Sequence, residues 1–243
     1  MRSHSPRITA GARILALALL PFSFAMPRYA GSSGAETPRG VSALMALAAD
    51  APDLDPKVLR LALDAASCAR SRGIGEGDTL TVIDYSRPSI EPRMWVFDLR
   101  RKRLLFEELV AHGAGSGGRV PTRFSNDPGS RASSLGLFLT GDTYKGRHGY
   151  SLRLHGLEPG INDLAYERNI VIHAAAYVSE EFARRQGRLG LSWGCPALAP
   201  RVACRVIDQI KGGSLVFAYY PDDDWLRTSR MLGACPAYAT ARR

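Results

Sequence analysis

Ser192-Trp193-Gly194-Cys195-Pro196 places a cysteine directly behind a glycine, and His173 closes an apolar β-branched run, Ile170-Val171-Ile172. By type these two side chains are a nucleophile and a base. Sulfur attacks carbon as thiolate, and an imidazole brought against it accepts the proton. Between them lie polar, helix-compatible residues and then a glycine-punctuated loop, which lets the chain fold back. Gly194 permits close approach of the backbone to a substrate, and the N–H groups of Gly194 and Cys195 are expected to face a developing oxyanion. His155, also at a strand end, is the rival base, and His112 and His148 are further candidates to line a cleft. No CxxC and no HExxH occurs, so neither a metal nor another cofactor is expected. The glycine-rich stretch 113–118 is not a phosphate loop, because no Lys-Ser/Thr and no helix follow it.

The elements that must position these residues are mostly strands. Residues 79–85, 94–99, 104–112, 135–141 and 150–155 read as strands, alternating in 150–155 and in 94–99, which fits a half-buried strand, with a closing strand over 214–220. Arg100 to Arg103 reads as a solvated hairpin tip. Residues 113–134 form a loop longer than a connection needs, which points to function or disorder. Helices are expected at 41–50, at 56–72 behind an Asp55 cap with Pro56 in the first turn, and at 200–210, where Cys204 is assigned to the core. The tail 222–243 reads as a peripheral extension, with Cys235 a candidate to staple it. The fold expected is mainly β, an antiparallel sandwich or barrel-like domain with a few helices. It spans residues 76–221, behind a linker and N-terminal helices over 26–75.

The N-terminus carries its own signal. Arg2, Arg7 and Arg13 precede the apolar run Ile14 to Phe24, and Ser23-Phe24-Ala25 offers small residues for cleavage. Residues 1–25 therefore read as a secretory signal peptide, too short in its apolar part to span a bilayer. Export implies a periplasmic location and no stable membrane span after cleavage. The chain carries a formal charge of +9 and stays basic once residues 1–25 are removed. That suits work near an anionic polymer such as a cell wall, whereas nucleic acid is not expected, since no basic run has interleaved aromatics. A monomer is expected. In an oxidising compartment a free Cys195 leaves one disulfide to be formed among Cys68, Cys204 and Cys235, and the sequence does not choose the pair.

Seven ordered stretches carry a resemblance: HGAGSG at 112–117, FSN with a following GS at 124–130, SSLG at 133–136, TGDTYKGRHGYSLRLHGLE at 140–158, NDLAYERNIVIHAAAYVS at 162–179, GRLGLSWGCPAL at 187–198 and IKGGSLVFAYYPD at 210–222. Together they make most of residues 105–221 similar to the YkuD-type L,D-transpeptidase catalytic domain, in its murein L,D-transpeptidase branch. The resemblance implies that Cys195 attacks a peptidoglycan stem peptide, that D-alanine leaves, and that an amine of a second stem resolves the thioester into a 3→3 cross-link. It implies His173 as base and the backbone at Gly194 and Cys195 as oxyanion hole, with Ser192 the fourth catalytic candidate. Tyr144, His155, Arg188 and Trp193 are the substrate-binding candidates. Two positions depart from the wider family: Trp193 stands where it has His, and Ala197 where it has Arg or Asn. The looser Ser-x-Gly-Cys-Pro-Ala form is met in full. Ala174 also replaces the usual Gly after the base, so orienting the imidazole falls to a backbone carbonyl or to Ser192. The competing readings are hydrolysis of the same acyl-enzyme, a non-catalytic wall-binding domain, and a domain with Cys195 in a structural disulfide.

Overall fold

The structure, a computed structural model, describes residues 38–233 and 235; the signal-peptide reading of 1–25 lies outside them. Helix α1 (Pro38–Asp50) leads into α2 (Pro56–Ser71). The Asp55 carboxylate accepts from the Lys57 N–H at 2.8 Å, and Pro56 takes a first-turn position where no N–H is needed. Val58, Leu59, Ala62, Ala65, Ala66 and Ala69 recur at helical spacing and are buried. No helix among the described residues is long and apolar enough to cross a membrane.

The strands follow as β1 (Thr79–Asp84), β2 (Met94–Asp98), β3 (Arg103–Glu108), β4 (Val110–Ala111), β5 (Gly136–Gly146), β6 (Gly149–Gly156) and β7 (Val171–Ala174). Then come α3 (Glu180–Gln186), β8 (Ala197–Leu198), α4 (Pro200–Ile210), β9 (Leu215–Tyr219) and α5 (Asp223–Thr228). One nine-stranded sheet runs β3-β2-β1-β9-β5-β6-β7-β8-β4. Its two outermost strands, β3 and β4, are separated in the chain by Leu109 alone. The sheet must therefore curl until its ends approach, and the result is a nearly closed, barrel-like sheet with five helices.

Several expectations need correction. The sheet is mixed, because β1 pairs parallel with β9 and β7 with β8. The strand read over 104–112 is two strands that belong to opposite ends of the sheet. Cys204 is exposed: Val202, Ala203, Val206, Ile207 and Ile210 form the buried face of α4, and position 204 falls outside it.

The segment after β9 is not peripheral. Asp222 caps α5 through the Trp225 N–H at 2.8 Å, and Trp225 is buried against Phe217 and Tyr219. Ser229 hydrogen-bonds the buried carboxylate of Glu158, and Cys235 is disulfide-bonded to Cys68 of α2. The alternation rule missed α5 because a single buried tryptophan carries its packing.

Candidate active site

Strand β7 positions the histidine. It pairs antiparallel with β6, Ser151 opposite His173, and parallel with β8, His173 opposite Ala197. That second register sets Cys195, two residues before Ala197, beside the start of β7. The Val171 N–H reaches the sulfur and favours thiolate, as does Arg168, but burial outweighs both and raises the Cys195 thiol. The Sγ lies 3.7 Å from the Asn169 carbonyl oxygen. Cys195 is not disulfide-bonded. Cys195 and His173 line one cleft of about 510 Å³, together with Tyr144, Arg147, His148 and Trp193 among others.

The imidazole of His173 is buried, and its Nδ1 lies 2.8 Å from the carbonyl oxygen of Ala174. A carbonyl can only accept, so Nδ1 carries the proton and Nε2 is the basic nitrogen. Burial lowers the pKa of His173, the Ala174 carbonyl opposes this, and the imidazole of His148 lowers it further. His148 stacks on His173 with ring centroids 4.4 Å apart. At neutral pH the pair therefore rests as thiol and neutral imidazole.

Ser192 does not orient His173. Its hydroxyl donates to the Cys195 carbonyl at 2.6 Å and accepts from the Gly194 N–H at 3.1 Å, which closes the turn around Cys195. The Gly194 N–H is thereby used within the turn and does not serve as an oxyanion donor. The Cys195 N–H has no acceptor among the described residues. Glycine is required at 194: φ is 114°, and a Cβ would stand 2.8 Å from the Ala132 carbonyl oxygen and 2.9 Å from Ile170 Cδ1.

The loop over 113–134 is ordered and frames this turn. Ser133 Oγ donates to the Gly194 carbonyl at 3.0 Å and accepts from the Gly113 N–H at 3.0 Å. Arg168 ties the loop to the cleft, donating to the carbonyls of Ser125 (2.7 Å) and Ala132 (2.6 Å) and to the Ser134 hydroxyl (2.6 Å). The Ser192 N–H donates to the His112 carbonyl at 3.0 Å, and the Ala114 N–H to the Ser192 carbonyl at 2.8 Å.

Two substrate-binding candidates stand elsewhere. His155 stacks on Tyr166 at 4.8 Å, four residues along β6 from the residue opposite His173, and does not line the cleft. Arg188 donates to the Leu189 carbonyl at 2.8 Å and is likewise not a lining residue. Tyr144 and Trp193 do line it. The sequence reading missed Arg147, Arg168, Asn169 and Tyr177, and left His148 open; all five line the cleft. A signal for two of them was present: Gly146-Arg147-His148-Gly149 is a two-residue turn between alternating segments, hence a hairpin tip.

His112 is a supporting group. Arg93 is buried and donates to the Val110 carbonyl, the Arg87 carbonyl and His112 Nδ1. Burial first, then Arg93, pushes His112 down to about 4. Since the folded-state pKa lies below the unfolded value, stability from this group is complete above pH 6.5 and is lost as pH falls towards 4. The cost reaches about 3 kcal/mol. Urea unfolding at pH 7 and pH 4 is expected to show a smaller acid loss for His112→Asn than for the parent chain; equal losses would rule this account out.

No curated protein matches the chain. The family described as L,D-transpeptidase catalytic domain matches residues 50–219. Among solved structures, an L,D-transpeptidase from Mycobacterium smegmatis is similar at 15% identity over 59% of each chain, with a TM-score of 0.36. An L,D-transpeptidase from Stackebrandtia nassauensis is similar at 15% identity over 65% of each chain, with a TM-score of 0.37. The helical cell shape determining protein Pgp2 from Campylobacter jejuni is similar at 11% identity, over 61% of this chain and 49% of that one, with a TM-score of 0.41. The chain thus spans less than two thirds of the length of each of these structures.

Proposed function

From the premise that the chain belongs to the L,D-transpeptidase catalytic domain family, we propose that it is a periplasmic enzyme that cross-links peptidoglycan stem peptides through a thioester on Cys195. The observation that carries this is the shared cleft: Cys195 lies in it with a buried His173 whose Nδ1 is held by the Ala174 carbonyl. In this reading Nε2 of His173 takes the thiol proton as Sγ attacks the stem carbonyl. The Cys195 N–H stabilises the resulting oxyanion. Collapse expels D-alanine, whose amine receives the proton from His173. An amine of a second stem then attacks the thioester, His173 accepts its proton, and the proton returns to sulfur. Every step uses one imidazole in one tautomer, which is why the fixed Nδ1–H matters.

Incubating the chain with disaccharide tetrapeptide tests the proposal. The expected products are free D-alanine and a cross-linked dimer. Tripeptide without dimer would replace transfer by hydrolysis, and no reaction with Cys195 free and reduced would overturn the enzymatic reading in favour of wall binding.

A further inference from the structure

Trp193 is 64% exposed although it stands two residues before the nucleophile. Its ring is flanked by two guanidinium groups from separate parts of the chain. Arg131 Cζ lies 4.7 Å from the indole centroid, and Arg147 Cζ lies 5.7 Å from it. Arg131 belongs to the loop that frames the Cys195 turn, and Arg147 to the β5–β6 hairpin tip.

Each arginine is held. Arg131 has φ of 54°, a left-handed conformation that is strained for a non-glycine residue, and its carbonyl is fixed by the Gly115 N–H at 2.8 Å. The strain sits where it delivers the side chain to Trp193. Arg147 Nη2 lies 3.4 Å from His148 Nε2, and His148 stacks on His173. None of the described residues lining the cleft is acidic, while Arg147 and Arg168 both line it. Stacking on an aromatic face leaves the edge N–H groups of a guanidinium available, and that fork matches a carboxylate.

We infer that Arg131 and Arg147, stacked on Trp193, form a clamp for a carboxylate carried by the peptide bound at Cys195. This rests on the proposed function and adds to it a substrate feature: a free carboxylate near the scissile bond, in preference to its amide. The indole acts by holding two like charges at a set spacing, so the site depends on an uncharged residue as well as on charge.

Alkylation of Cys195 by iodoacetate and by iodoacetamide, each followed by mass spectrometry of the Cys195 peptide, separates the parts. The two reagents differ in the carboxylate alone. The iodoacetate-to-iodoacetamide rate ratio is expected to exceed that of free cysteine by about tenfold. Arg131→Gln with Arg147→Gln should return the ratio to the free-thiol value. Trp193→Leu removes no charge and should still lower the ratio about threefold. A ratio equal to that of free cysteine, or one that Trp193→Leu leaves unchanged, overturns the clamp. Product formation from disaccharide tetrapeptide is measured in parallel. A raised, Trp193-dependent ratio without products would remove the transpeptidase reading and keep the anion site, whereas products with an ordinary ratio would do the reverse.

Discussion

Cys195→Ala protein is expected to take up no carbapenem adduct by intact mass, and to release no D-alanine from disaccharide tetrapeptide, under conditions where the parent chain gains one adduct. The loss should be at least about 10⁴-fold, because Cys195 is the one thiol among the described residues that line the cleft. Cys195→Ser should be nearly as inert. Burial already raises the thiol of Cys195, and the same surroundings would face a hydroxyl that is harder to ionise. The molecule supplies its own control in Cys204, which is free and exposed on α4. Iodoacetamide should label both thiols of the parent chain, yet only Cys195 should open the β-lactam. An adduct on Cys204, or an adduct retained by Cys195→Ala, would show that accessibility and not the cleft governs the reaction.

The contrast between those two cysteines marks what could be read from the chain. Strands were legible in Thr79–Asp84 and Met94–Asp98 from their β-branched and aromatic residues, but every residue of both is buried, so the half-buried reading of 94–99 does not hold: the sheet is covered on both faces there. Capping was legible for α2, where Asp55 and Pro56 act locally. Partners across the sheet were not. Local pattern is silent on whether a strand pairs parallel or antiparallel, and the parallel β7–β8 register is what brings Cys195 beside β7. The face of α4 was misjudged at Cys204 because a small apolar residue fits either side of a helix. His173 was legible as a strand-ending imidazole, but its orienting group was not, since a backbone carbonyl has no sequence signature. Ser192 had the right chemistry for that task, yet its own turn engages the hydroxyl. The clamp arginines come from a loop and a hairpin tip, and only tertiary structure puts them on one indole.

His173→Gln should lower acylation by about 10³-fold while leaving Cys195 accessible to iodoacetamide. The amide can hold the hydrogen bond to the Ala174 carbonyl but cannot accept the thiol proton, so it separates orientation from base strength. The pH profile gives a second, independent readout. Burial and the neighbouring His148 both lower the pKa of His173, so it stays neutral in solutions where an ordinary imidazole is protonated. The acid limb of the parent enzyme is therefore expected below pH 6.5. Removing the His148 ring by His148→Gln takes away the stacked neighbour that lowers the pKa of His173 and also exposes His173 to water. Both changes favour the imidazolium, so the acid limb should move to higher pH in that variant. A parent limb at or above 6.5, or a limb that His148→Gln moves downward, would mean that His173 is not the group whose protonation stops the reaction.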